Sequence, residues 1–286
     1  MKIIQINSLL LFFILIFAKK NMKWMLWIVI VFITILICLF LIKSLPYYST
    51  AKKQSGLIIM QHCDDTIRIA YIGDSWADGH KKVNCVMDSF ICIATGRQVE
   101  VRTAGISGLT SKDIYYCIFN DDSIRSVIEW GPNFCFVVAG INDTDRKMGK
   151  GYYKENMRLI IDLLLENHIT PIILEIPSYD ILFSYKRRSR QVKLQYLASM
   201  IVTWSKMNCI EDYRKAYYEL LDEQGWNNQV ITLSYKDWNP NGFKDKRNLY
   251  DGGLMHLNPK GYLVLDTCIA HKIIEKLSVS SDNGNH

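Results

Sequence analysis

Apolar residues in this chain fall into two kinds of run. One is long and unbroken: residues 25–42, MLWIVIVFITILICLFLI, carry no charge and match the length that spans a bilayer. The others are short and alternate with helical patterns. Runs near 67–72, 98–102, 134–139, 171–176 and 229–234 read as strands. Helices are expected near 81–94, 111–119, 152–167, 188–207, 212–223 and 259–276. Within 152–167, Met157, Ile160, Ile161, Leu164 and Leu165 recur at the spacing of a helix face turned to a core. Strands alternating with helices predict an α/β fold, with a five-stranded parallel sheet, right-handed crossovers and helices on both faces.

The long run divides the chain. An earlier apolar stretch, Leu9 to Ala18, is too short to span, and Lys19, Lys20 and Lys23 separate it from the second. Met22 is an alternative start, with a short basic segment ahead of the apolar one. No small-residue cleavage site follows Ile42. Residues 1–43 are therefore read as an N-terminal hydrophobic region with a retained single-pass signal anchor at about 25–42. Residues 44–66 are read as a linker, 67–278 as one domain with a single core, and 279–286 as a disordered tail.

Lysines flank the apolar run on both sides, so they do not orient it. The seven cysteines beyond it are odd in number and lack a CxxC pair, which fits neither a disulfide framework nor a zinc site. Anchor logic favours a domain outside the cytoplasm. The net charge of +6 is read as spread along the chain without a basic stripe, so nucleic acid is not expected as a partner.

Three strands each run into a polar, glycine-bearing loop: Gly73-Asp74-Ser75, then Gly105-Ile106-Ser107-Gly108, then Gly140-Ile141-Asn142-Asp143. In a parallel sheet these gather at the carboxyl edge, where ligands bind. A fourth polar segment, Asp251 to Asn258, precedes the last helix and can fold over that edge. A serine hydroxyl needs an adjacent base to act as a nucleophile. His256 is better placed than His62, His80, His168 or His271, and Asp251 is the acidic residue nearest to it. The backbone N–H groups of Ser75 and Gly108 and the amide of Asn142 can serve as oxyanion donors. Each residue also has an ordinary reading. Asp74-Ser75 suits a helix cap, Gly108 and Asn142 suit turns, and His256 suits a loop cap.

These blocks together resemble those of the SGNH, or GDSL-type, hydrolases. GDS at 73–75, GISG ending at Gly108, GIND at 140–143 and HLNPKGY from His256 occur in that family's order across nearly all of 67–277. The resemblance implies a three-layer α/β/α, flavodoxin-like fold and ester hydrolysis with neither cofactor nor metal. It implies Ser75 as nucleophile and oxyanion donor, Gly108 and Asn142 as further donors, and His256 as base.

Two departures stand out. Trp76 follows the serine where leucine is common, which suggests carbohydrate esterases and acyltransferases. The family's acid lies three residues before the histidine, where this chain has Gly253. Either Asp251 reaches the imidazole through the flexible Gly252-Gly253 pair, or a Ser–His dyad operates with a backbone carbonyl orienting the ring. The expected activity is a serine esterase removing acyl groups, acetyl among them, from a small-molecule or envelope-glycan ester. An O-acyltransferase using the same site and a non-catalytic glycan-binding relative are the alternatives.

Overall fold

The computed structural model describes residues 24, 26–35, 47–239, 246–252 and 255–282. The chain forms two compact units, Met1–Ser49 and Thr50–His286. In the first, residues 26–35 are helical, and their large apolar side chains, Trp27 and Phe32 among them, are exposed. No helix among the described residues is long and apolar enough to cross a membrane. Met25 and residues 36–42 of the expected span lie outside the described residues.

The second unit is organised by β1 (Ile67–Gly73), β2 (Val99–Gly105), β3 (Phe134–Val138), β4 (Thr170–Leu174) and β5 (Ile231–Leu233). They pair in parallel in the order β2-β1-β3-β4-β5, so the five expected strands form the expected sheet. β1 and β3 are buried along their whole length because both faces of a parallel sheet are covered, and their sequences are correspondingly apolar. β2 is an edge strand. Its Arg102 is exposed, with the guanidinium over the Trp130 ring at 4.1 Å.

The helices are α1 (Ser75–His80), α2 (Met87–Thr95), α3 (Ser111–Asn120), α4 (Asp122–Glu129), α5 (Ile141–Arg146), α6 (Lys150–Glu166), α7 (Ile181–Arg187), α8 (Arg190–Thr203), α9 (Ile210–Gln224), α10 (Tyr235–Trp238), α11 (Lys246–Leu249) and α12 (Pro259–Asp282). α2 and α12 pack together on one face, while α4, α3, α6 and α9 follow one another side by side on the other. The stripe on α6 is buried as expected at Met157, Ile160, Ile161 and Leu164.

Several expected boundaries move. The helix expected near 81–94 starts only at Met87, and a separate short helix, α1, precedes it, where Asp74 caps its start by accepting the Trp76 N–H. The helix expected near 188–207 is α8, which Ser189 caps at its start, and α7 is a separate helix before it. α1, α4, α5, α7, α10 and α11 were not expected. They are eight residues or fewer, too short for helical periodicity to show. α12 runs to Asp282, so residues 279–282 of the expected tail are helical, and 283–286 lie outside the described residues.

The expected linker also needs correction. From Thr50 onward it belongs to the domain. Ala51 is buried and donates its N–H to the buried Asn156 Oδ1 at 2.8 Å. Gln54 N–H donates to the Tyr115 hydroxyl and Met60 N–H to the Glu129 carbonyl, both at 2.8 Å. His62 Nε2 bonds the Trp130 carbonyl at 2.7 Å. Backbone hydrogen bonding holds this arm, and such bonding leaves no apolar pattern in the sequence.

Candidate active site

At the end of β1, Gly73 passes so close to β3 that a Cβ there would lie 2.4 Å from the Val138 carbonyl oxygen. Only glycine fits. The chain then enters α1 at once, which puts Ser75 in the first helical turn at the carboxyl edge of the sheet. His256 arrives from the other end of the domain, and its Nε2 lies 3.0 Å from Ser75 Oγ. Behind it, Asp251 Oδ2 is 3.8 Å from His256 Nδ1, and the two side chains are 46% and 43% exposed. That is ion-pair range but beyond a hydrogen bond. The Asp251 N–H donates to the His256 carbonyl at 2.9 Å, and an antiparallel bridge joins Tyr250 to Leu257. Asp251 thus reaches the histidine from five residues upstream because the loop is pinched at its base. Gly253 lies outside the described residues.

The other two loops are tied to the serine turn by side chains. Asn142 opens α5, and its amide donates to Asp74 Oδ2 at 3.1 Å and to the Leu109 carbonyl at 2.9 Å. Both amide hydrogens are engaged, so donation to an oxyanion requires one of these bonds to be exchanged. Gly108 adopts φ of 87°, and its carbonyl accepts from Arg146 Nη2 at 2.6 Å. Asp74 is fully buried. Burial pushes its carboxyl up to about 7, with the Asp143 charge adding and the bonds from Trp76 N–H and Asn142 opposing. Asp143 is equally buried and pushed up to about 6, mainly by desolvation, although it accepts both the N–H and the hydroxyl of Ser111.

Ser75 and His256 open on a cleft of about 450 Å³ whose wall includes Asp78, Lys82, Ser107 and Tyr262. Asp78 accepts from the Ser107 hydroxyl and pairs with Lys81, each at 3.0 Å. These polar groups were not anticipated as part of the site, since nothing local distinguishes them from ordinary surface residues. Trp76 was marked only as a departure from a motif. It is fully buried, and its indole Nε1 donates to the Met255 carbonyl at 3.0 Å. Its carbonyl accepts from the Tyr262 hydroxyl at 3.1 Å, and its ring meets Trp238 edge-on. The residue beside the serine therefore fastens the serine turn to the histidine loop. Tyr179, Trp226, Tyr235 and Trp238 are buried and pack in the core.

A second polar cluster lies behind α1. The donor atoms of His80, Cys85 and Asp266 fall within 4.8 Å of one another, the one group among the described residues compact enough to hold a cation. Two of its members already bond each other, His80 Nε2 to Asp266 Oδ1 at 2.9 Å, and Asp266 Oδ2 accepts the Val86 N–H. The pair ties α1 to α12. Burial, with the Asp266 charge adding, pushes the Cys85 thiol up to about 12.

A serine in the first turn after β1, a histidine in contact with it, and an open polar cleft above a parallel sheet define the class of serine ester hydrolases on an α/β/α fold. A model of the GDSL-like lipase/acylhydrolase family matches residues 71–264. The chain belongs to that family and is an ester hydrolase. Its fold is similar to a lipase/acylhydrolase from Enterococcus faecalis, at 20% identity and a TM-score of 0.52, over 73% of this chain and 96% of that one. It is also similar to the psychrotrophic esterase EstA from a Pseudoalteromonas species, solved with monoethylphosphonate as inhibitor. There the identity is 13% and the TM-score 0.51, over 75% of this chain and 100% of the other. At these identities the likeness speaks for the fold alone. No curated protein sequence matches the chain.

Proposed function

We propose that the enzyme removes acyl groups, acetyl among them, from a hydroxyl-rich ester such as an envelope glycan, through an acyl-serine intermediate. The observation that carries this reading is the 3.0 Å contact between Ser75 Oγ and His256 Nε2 in an open cleft. Ser75 Oγ attacks the ester carbonyl carbon as its proton passes to His256 Nε2. The carbonyl oxygen takes up the displaced electron pair. The N–H groups of Ser75 and Gly108 and the amide of Asn142 stabilise that charge, the last after exchanging one of its present bonds. Collapse expels the sugar alkoxide, which takes the proton from His256. Water then repeats the sequence on the acyl-serine and returns the serine hydroxyl. Asp251 orients the ring so that Nδ1 carries a hydrogen and Nε2 is free to accept. The Asp78, Ser107 and Lys82 rim supplies hydrogen-bonding groups suited to sugar hydroxyls.

We further propose that the apolar run at 25–42 is a single-pass anchor, with the catalytic domain outside the cytoplasm. Its support is the uncharged sequence and the exposed apolar surface of its helical part. Ser75→Ala should lower hydrolysis of p-nitrophenyl acetate by at least about 10³-fold and abolish labelling by a phosphonate. Wild-type turnover by that variant would overturn the nucleophile assignment. Mass analysis of the product formed with a glycan acceptor present distinguishes hydrolysis from transfer.

A further inference from the structure

Residues 181–210 hold six basic residues, Lys186, Arg187, Arg188, Arg190, Lys193 and Lys206, and no acidic one. The chain's net charge is +6, and residues 1–53, with seven lysines and no acidic residue, are a second basic stretch. The positive charge is thus concentrated in these two stretches rather than spread along the chain. Arg188 is paired with Asp145, and Lys206 stands 3.8 Å from Asp212. Among the described residues, Lys186, Arg187, Arg190 and Lys193 have no carboxylate in ion-pair range.

The same segment exposes apolar surface. On α8, Tyr196 and Ser199 face inward, while Leu194, Leu197 and Ile201 share the outer side at i, i+3 and i+7 and are 68%, 42% and 76% exposed. Trp204 closes the helix with a left-handed φ of 53° and is 94% exposed. Glycine is the usual residue in that conformation, and an indole so exposed adds nothing to the core. A helix with an apolar stripe, bordered by basic residues, has the make-up of one that lies in the interface of an anionic bilayer.

The path of the arm agrees. Thr203 Oγ1 donates to the Lys147 carbonyl at 3.0 Å, which fixes the end of α8 beside the start of α6. Lys53 pairs with Asp162 and Glu166 in the second half of α6, and Ala51 bonds Asn156 nearer its middle. Traced backward, the arm climbs α6 toward the end where α8 finishes. Ala51 is nine residues beyond Ile42, a reach of at most about 30 Å.

We propose that the outer face of α8 docks on an anionic lipid surface, with Leu194, Leu197, Ile201 and Trp204 at the headgroup boundary. Lys186, Arg187, Arg190 and Lys193 would meet the lipid phosphates. The tethering part of this argument rests on the anchor reading above; the composition of the face does not. Benzoylphenylalanine is placed at Leu197, at Ile30 in the apolar run, or at Ile93, an exposed position on α2. The full chain is reconstituted in phosphatidylcholine vesicles with or without roughly one-third phosphatidylglycerol. Expected are lipid adducts at position 197 mainly in the anionic vesicles, adducts at position 30 in both, and none at position 93.

The combined Arg187→Glu, Arg190→Glu and Lys193→Glu variant should lower the yield at position 197 at least about tenfold. It should leave the yield at position 30 and p-nitrophenyl acetate hydrolysis unchanged. Adducts at 30 without any at 197 overturn the docking surface and keep the anchor. Adducts at 197 without any at 30 keep the surface and overturn the anchor. A position-197 adduct to a second protein chain or to the chain's own N-terminal segment overturns the proposal, as does equal lipid labelling at position 93.

Discussion

Two histidine–carboxylate pairs in this domain have nearly the same chemistry and very different settings. His80 and Asp266 meet at 2.9 Å with 2% and 1% of their side-chain surface exposed. The second ring nitrogen of His80 contacts the Thr103 hydroxyl at 3.2 Å, so hydroxyl, imidazole and carboxylate stand in the order of a catalytic triad. His256 and Asp251 are looser, at 3.8 Å, and almost half exposed. By bond length alone the first pair is the better triad. Its ring, however, is enclosed between Tyr71 and Tyr262 and joins helices. The second pair faces Ser75 across an open cleft. Access and an exposed hydroxyl, rather than the tightness of the histidine–acid bond, separate the site from a structural tie.

Exchanging the two pairs' expected behaviour is the strongest way to break this comparison. His256→Ala should cost about 10³-fold or more in kcat and leave stability within about 0.5 kcal/mol, as for an exposed substitution. His80→Ala should do the reverse. Removing one partner of a buried bond costs on the order of 2–3 kcal/mol, read as a lower denaturation midpoint, while the folded fraction keeps its turnover. An inactive but fully stable His80→Ala protein would reverse the assignment.

The looseness of the Asp251 contact predicts a smaller effect. Asp251→Asn should lower kcat about tenfold, against about 10⁴-fold for a buried, well-bonded acid. A loss near the larger figure in steady-state kinetics would mean that the loop tightens when substrate binds. Trp76→Phe removes the bond to Met255, worth about 1 kcal/mol. It should lower kcat by roughly three- to tenfold with KM unchanged. A change in KM alone would assign Trp76 to substrate binding instead.

The smallest expected effect is on stability against pH. Folding raises Asp74 from 3.8 to about 7 and Asp143 from 3.8 to about 6. Below about pH 4 both states hold these protons and the contribution is fully present. As pH rises toward 7 the unfolded chain releases them first, so the contribution is lost. Chemical denaturation should show stability falling between about pH 4 and pH 7, and Asp74→Asn should flatten that fall. An unchanged slope in the variant would separate Asp74 from the pH response.

Much of this was legible beforehand because it was local. Ile67 to Ile72, the α6 stripe and the three glycine-bearing loops each carry their pattern within a few residues. Trp76 was visible but not interpretable, since its partners, Met255 and Tyr262, lie about 180 residues away. Asp78 and Ser107 looked like surface polar residues until the fold set them on the cleft wall. The arm from Thr50 to Thr66 looked like a tether because backbone hydrogen bonds to Asn156, Tyr115 and Glu129 leave no mark in a hydropathy pattern.

By itself, then, the sequence determined the alternation of strands and helices, the gathering of the polar loops at one edge, and the choice of Ser75 and His256. Short-range periodicity and motif spacing suffice for these. Only the tertiary structure decided which histidine–carboxylate pair faces a nucleophile, how far Asp251 stands from its ring, and what Trp76 holds. Those are distances between residues remote in the chain, and they depend on how burial and loop closure place whole elements against one another.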